Sequence, residues 1–277
     1  MKDSNIEIYR KFKKKYMEIG AHRIHYVDVG EGPVVVLLHG SSISSFSFRH
    51  QIAALQNRFR VIAPDLLGYG RSSAPIKGAG FILQANVLRR FLDSLNLSSI
   101  RLLVHDWGGP IGLGCAAMKP EQISQLILVN TTFLPDFHPP PYWRLFIAPL
   151  LGDFIIVRLN FFCHGLPFLL QAARNPIVRA VYAQPFKQIS TRRTIIALER
   201  LTGFKPLMES VIKQLPKLQV PTLILWGKPD PYFRSRELER LKSFFKNVTV
   251  KVIPGAGHFP QENAPEIMTK ELIDFIK

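Results

Sequence analysis

The sequence predicts an α/β protein: a mostly parallel central sheet flanked by helices, with an inserted helical cap. Three observations predict it. Short apolar runs alternate with helical segments over most of the chain, the rhythm of a sheet covered on both faces. The interval 131–215 breaks that rhythm with a proline-rich opening and an aromatic, basic, helix-like remainder. The segment LLVHDWGGPIGLG (102–114) joins an apolar strand to a glycine-opened helix through one abrupt turn.

Each element follows from local pattern. Residues 22–29 (HRIHYVDV) alternate like a half-exposed edge strand. GPVVVLLHG from Gly32, FRVIAPD from Phe59 and RLLVHD from Arg101 are continuous apolar runs, as expected of strands buried on both faces. QLILVN (125–130), PTLILWG (221–227) and VTVKVIPG (248–255) complete the strand series. Helical stretches fall near 47–56, 84–95, 108–118, 235–245 and 265–276. LPDFHPPPYW resists regular structure and opens the cap. The expected division is a core of 1–130 and 216–277 and a cap of 131–215. Disorder is expected no further than the first dozen residues.

A chain of 277 residues, 47% hydrophobic and 20% charged, is a folded globule with a large core. Its net charge of +16 comes from 36 basic and 20 acidic residues, spread along the chain apart from the RKFKKK cluster. No zinc-finger, helix-turn-helix or RNP pattern accompanies that charge, which speaks against nucleic acid as a partner. Weak adsorption to an anionic membrane surface stays open. Two cysteines, Cys115 and Cys163, give neither a disulfide framework nor a metal pattern. No cofactor motif is present. MKDSNIEIYRKFKKKY lacks the apolar run of a secretory signal. The apolar region 145–170 is broken by Pro149, Asp153, Arg158, His164 and Pro167, short of the roughly 20 apolar residues a bilayer span needs. A cytoplasmic, reducing compartment is expected.

The chemistry-bearing residues sit where strands of a parallel sheet end, the edge at which open α/β sheets bind ligands. After VVVLL comes His39-Gly40-Ser41-Ser42, and after RLLVH comes Asp106. After TLILW comes Gly227-Lys228-Pro229-Asp230, and after VTVKV comes IPGAGHFPQENAPE with His258. Singly, each has an ordinary explanation: Asp106 as a helix cap, Asp230 as a turn former, His258 as a solvated loop residue. Together, the order Asp106, Asp230, His258 is that of nucleophile, acid and base. A carboxylate nucleophile suits displacement at carbon, giving an ester that water must open.

With these residues in view, the chain resembles the α/β-hydrolases over nearly its whole length, and haloalkane dehalogenases most among them. The resemblance rests on HDWGGPIG, on SFSFRHQIAALQNRFRVIAPDLLGYGRSS, on YAQPFKQISTRRT in the cap and on GAGHFPQENAPE. It implies that Asp106 attacks a carbon bearing a halide, and that His258, oriented by Asp230, activates the water that opens the ester. It implies that the main-chain N–H groups of Ser41 and Trp107 hold the oxyanion, and that the Trp107 indole N–H faces the halide. Relatives that take the acid from one strand earlier would need it at Asn130, which is no carboxylate.

The pattern also departs from the family. Ser41 stands where the second halide donor is often Asn, and Ser42 where Pro is usual. Of the remaining tryptophans, Trp226 reads as core packing. Trp143 is the lid-entrance candidate for a second donor, or an aromatic anchor of the lid. Epoxide hydrolases would use lid tyrosines, for which Tyr142 and Tyr182 are available. β-Lactone decarboxylases and a ligand-binding relative without turnover complete the alternatives. Phe146, Phe154, Phe161, Phe162 and Phe168 make the cap apolar, through cavity lining or through packing of the cap itself. A small apolar substrate and water are the expected partners. Arg192, Arg193 and Arg200 are expected to pair with carboxylates or face solvent.

Overall fold

A computed structural model describes residues 4–169 and 175–277. Eight strands form one sheet: β1 (Lys15–Ile19), β2 (His22–Val29), β3 (Val34–Leu38), β4 (Arg60–Pro64), β5 (Ile100–His105), β6 (Ile123–Val129), β7 (Thr222–Lys228) and β8 (Val248–Pro254). Their order is β1-β2-β4-β3-β5-β6-β7-β8. β1 and β2 pair antiparallel, as do β2 and β4, and every other pairing is parallel.

The apolar runs occupy the middle of the sheet. Val35 to Leu38 and Leu126 to Val129 are fully buried, each such side chain worth roughly 1.5–3 kcal/mol. β8 at the far edge alternates half-buried and exposed positions, as one covered face dictates. The core helices are α1 (Ser4–Lys11), α2 (Arg49–Leu55), α3 (Phe81–Ser94) and α4 (Gly108–Met118). Between β6 and β7 lie α5 (Arg144–Ile147), a π-helical turn (Asp153–Arg158), α6 (Phe161–Leu169), α7 (Pro176–Ala183), α8 (Ile189–Glu199) and α9 (Phe204–Gln214). α10 (Ser235–Lys242), α11 (Pro260–Asn263) and α12 (Pro265–Ile276) close the chain.

Two expectations change at the N-terminus. The first dozen residues contain α1, whose Ile6 and Tyr9 are buried, with the Tyr9 hydroxyl 2.7 Å from Ser45 Oγ. Residues 22–29 are not the sheet edge, because β1 pairs outside them and leaves four consecutive β2 positions buried. In the inserted interval, α9 turns back onto the core: Leu207 packs against Gly114 of α4 so closely that a Cβ there would lie 2.9 Å away. Arg200 ties the cap to itself, donating to Asp153 at 2.6 Å and to the carbonyls of Ile147 and Ala148. Cys115 is a buried free thiol. No described helix is long and apolar enough to cross a membrane.

Candidate active site

Asp106 follows β5 at the elbow with a φ of +50°, a left-handed conformation that costs a non-glycine residue about 1–3 kcal/mol. The surroundings enforce it. Its N–H donates to the carbonyl of Asn130 at 3.1 Å, while its own carbonyl accepts from Thr131 Oγ1 at 2.6 Å and Gly109 N at 2.9 Å. Two glycines let the loops approach. A Cβ on Gly40 would sit 2.4 Å from the Asp106 side chain, and one on Gly108 would sit 2.5 Å from the His39 carbonyl. The carboxylate therefore stands clear of the sheet at the opening of α4.

The structure brings Asp106, Asp230 and His258 together from three strand ends. Ser41 N donates to Asp106 Oδ2 at 2.7 Å. Asp106 Oδ1 lies 3.5 Å from His258 Nε2, and His258 Nδ1 lies 2.9 Å from Asp230 Oδ2. Asp230 is held in turn by the N–H groups of Tyr232 and Phe233 and by Asn130 Nδ2 at 2.7 Å. Asn130 thus supports a carboxylate and does not stand in for one. Burial opposes charge on Asp230, but His258 and these donors outweigh it and lower its pKa. Burial likewise opposes charge on His258, yet Asp230 and Asp106 raise it to about 10.

A second histidine sets the loop. His105 Nε2 donates to the His258 carbonyl at 2.8 Å, and its Nδ1 accepts from Gln261 Nε2 at 3.3 Å. Burial, aided by the nearby His258, lowers the His105 pKa to about 4, so it stays a neutral strut. Neither His105 nor Gln261 was marked by the sequence beyond its place next to a reactive residue.

Above Asp106, three donors converge on one carboxyl group, that of Glu199 at the end of α8. Ser41 Oγ donates to Glu199 Oε1 at 3.0 Å, Trp107 Nε1 to the same oxygen at 3.2 Å, and Trp143 Nε1 to Oε2 at 3.1 Å. Trp143 is therefore both anchor and donor: it packs on Phe146, Phe162 and Tyr232 while its N–H points inward. Burial and the neighbouring Asp106 raise the Glu199 pKa to about 8 against the three donors. Sequence reasoning missed this residue. The one signal was an acidic side chain in the last turn of a helix, where the macrodipole disfavours it.

The cavity around these groups is apolar, lined by Ile43, Phe137, Pro139, Pro140, Phe162, Phe233 and Phe259 besides the polar residues named. Of the cap phenylalanines, Phe162 lines it, whereas Phe154 is 54% exposed. Phe146 and Phe161 pack against each other. The Phe168 side chain lies outside the described residues. The two tyrosines expected in an epoxide-opening role lie elsewhere. Tyr142 is exposed, its hydroxyl on the Pro231 carbonyl, and Tyr182 is buried on Glu262. Short polar reach explains both: each hydroxyl is used up by a neighbour outside the cavity. Trp226 is fully buried packing. No group of three potential metal-ligating side chains occurs among the described residues.

Comparison with known proteins identifies the family. A family model described as the alpha/beta hydrolase fold matches residues 33–155 and 173–265. The chain is 32% identical to haloalkane dehalogenase 2 of Mycobacterium tuberculosis over 95% of this chain and 94% of that protein. It is 33% identical to a cis-3-alkyl-4-alkyloxetan-2-one decarboxylase of Shewanella oneidensis, covering 96% and 87%. Human epoxide hydrolase 4 is 29% identical, covering 92% and 76%. Among solved structures, a point mutant of the haloalkane dehalogenase DatA from Agrobacterium tumefaciens superposes with a TM-score of 0.87 at 26% identity, over 95% and 96% of the two chains.

Proposed function

The chain belongs to the α/β-hydrolase fold family, in its haloalkane-dehalogenase-like branch, and from that premise we propose that Asp106 is the nucleophile of a two-step hydrolysis of a small apolar substrate. The observation that carries this reading is the division of labour on one carboxylate. Oδ2 is held by the Ser41 N–H, while Oδ1 lies beside His258 at the foot of an apolar cavity. Oδ1 attacks a carbon, and the leaving group departs with the bonding electrons, giving an ester on Asp106. Water then attacks the ester carbonyl, His258 takes its proton, and the oxyanion forms at the Ser41 N–H, a donor worth roughly 3 kcal/mol.

The electrostatics suit that sequence. Asp106 and Asp230 together favour the charged imidazole. Esterification neutralises Asp106, so the His258 pKa falls, its resting proton passes to solvent, and the neutral imidazole is free to take one from water. The Trp107 oxyanion contribution is carried over from the resemblance alone.

Haloalkanes are the substrate class suggested by the dehalogenase relatives. A second class, the epoxides suggested by the epoxide-hydrolase relatives, is favoured by Glu199, on which both indole N–H groups converge. Mass spectrometry of His258→Phe after exposure to 1-bromobutane and to styrene oxide tests the nucleophile. The expected result is one covalent adduct located on Asp106, which Asp106→Ala abolishes. A protein that only binds ligand keeps its unmodified mass with every substrate.

A further inference from the structure

The donors that a departing halide would need are already in use. Ser41 Oγ, Trp107 Nε1 and Trp143 Nε1 all point at Glu199, whose residue is 5% exposed. A halide could take those N–H groups only by displacing a carboxyl group from the site. The charge balance also matters. Asp230 offsets a protonated His258, which leaves Asp106 as the one net negative charge facing the cavity. An ionised Glu199 would add a second within the same apolar enclosure, a costly arrangement. The group is therefore best held as a neutral carboxylic acid, with an O–H to give.

This inference rests on the Asp106 reading and deepens it. The geometry points to Glu199 as the proton donor to the leaving atom, which makes an epoxide, rather than a haloalkane, the substrate class this site prefers. Halide, like the carboxylate a β-lactone releases when its alkyl C–O bond breaks, leaves as a stable anion and needs no proton, whereas an epoxide oxygen leaves as an alkoxide and does. For a three-membered ring the step balances as follows. Asp106 Oδ1 bonds to the ring carbon, the C–O bond breaks, and its electron pair stays on oxygen, which takes the Glu199 proton. With Asp106 esterified, His258 releases its resting proton to solvent, and the neutral imidazole takes a proton from the water that opens the ester. The imidazolium returns that proton to the departing alkoxide, the carboxylic acid left on Asp106 reprotonates Glu199, and solvent restores the resting proton of His258. The sum is ring plus water to diol.

The competing role for Glu199 is a latch between cap and core, since Glu199 and Trp143 belong to the cap interval and Trp107 and Ser41 to the core. The test separates the two. Turnover of styrene oxide and 1-bromobutane is measured for the wild type and for Glu199→Gln, which keeps the shape and loses the acid. Styrene oxide should be preferred by the wild type, and its rate should fall as pH rises through about 8. In Glu199→Gln the epoxide-to-haloalkane ratio of kcat/KM should drop at least ~100-fold, the lower end for a general acid, and the alkaline limb should vanish. Bromide should quench tryptophan fluorescence at lower concentration in Glu199→Ala than in the wild type, because the indole N–H groups are vacated. A latch would lower both substrate classes alike and leave the ratio and the limb unmoved. That result, or wild-type bromide release with styrene oxide left unchanged, overturns the proposal. The Asp106 adduct is read independently, so loss of the nucleophile reading shows as its absence with every substrate.

Discussion

Two buried groups at the site make stability depend on pH in the same direction. His258 has its folded pKa raised to about 10 from 6.5, so its contribution is complete below about 6.5 and is lost as pH rises through 10. Glu199 is an acid raised to about 8 from 4.5. Across that window the native protein binds a proton the unfolded chain has released, and stability falls with rising pH. His105, held near 4 in the fold, opposes Glu199 below about pH 6.5, so urea denaturation of the wild type should show its decline from about pH 6.5 to about pH 10. Glu199→Gln should make the part below about pH 8 shallower and leave the part above it. An unchanged slope below pH 8 would mean that Glu199 is not held neutral by the fold.

At the scale of elements, two buried carboxyl groups are among the ties between the interval 131–215 and the rest of the chain. One is Glu199. The other is Glu262 of α11, whose Oε1 accepts from Arg49 Nη1 of α2 at 2.7 Å and from the Tyr182 hydroxyl of α7. All three side chains are buried, so removing the shared acceptor takes a hydrogen-bond partner from a buried guanidinium and from a buried hydroxyl. Glu262→Ala should cost about 1–3 kcal/mol, read as a lower urea midpoint, and a loss under 1 kcal/mol would show the triad to be incidental. These fastenings also mark the border of what sequence can reveal. The strand ends carrying Asp106, Asp230 and His258 are legible because each motif and its strand are contiguous. α4 and α12 fall at the expected residues, for the same reason. Glu199 is not legible, because its partners Ser41 and Trp107 lie 158 and 92 positions away and meet it only when the cap closes on the elbow. α1 and β1 were hidden differently: KFKKKYMEI is too charged to read as a strand until Gly20 turns it back along β2.

The whole molecule carries a net charge of +16. Leu145, Leu150, Leu151, Phe154 and Leu159 are exposed in the segment that also holds the exposed Arg144 and Arg158. Apolar side chains flanked by cations suit an anionic bilayer surface. We expect the protein to pellet with anionic liposomes at low salt, to be released at high salt, and to ignore neutral liposomes. Pelleting that is equal on both lipid types would sink the electrostatic part of this expectation.

Asn130 closes the end of β6 with its amide on both Asp230 and the Gly227 carbonyl. Its neighbourly grip places two adjacent strand tips within reach of a single imidazole, so the orienting carboxylate has two addresses. Exchanging the pair, as Asn130→Asp with Asp230→Asn, should preserve more activity than Asp230→Asn alone. Activity kept by the swap would mean that the tip of β6 can carry the carboxylate as well as the tip of β7.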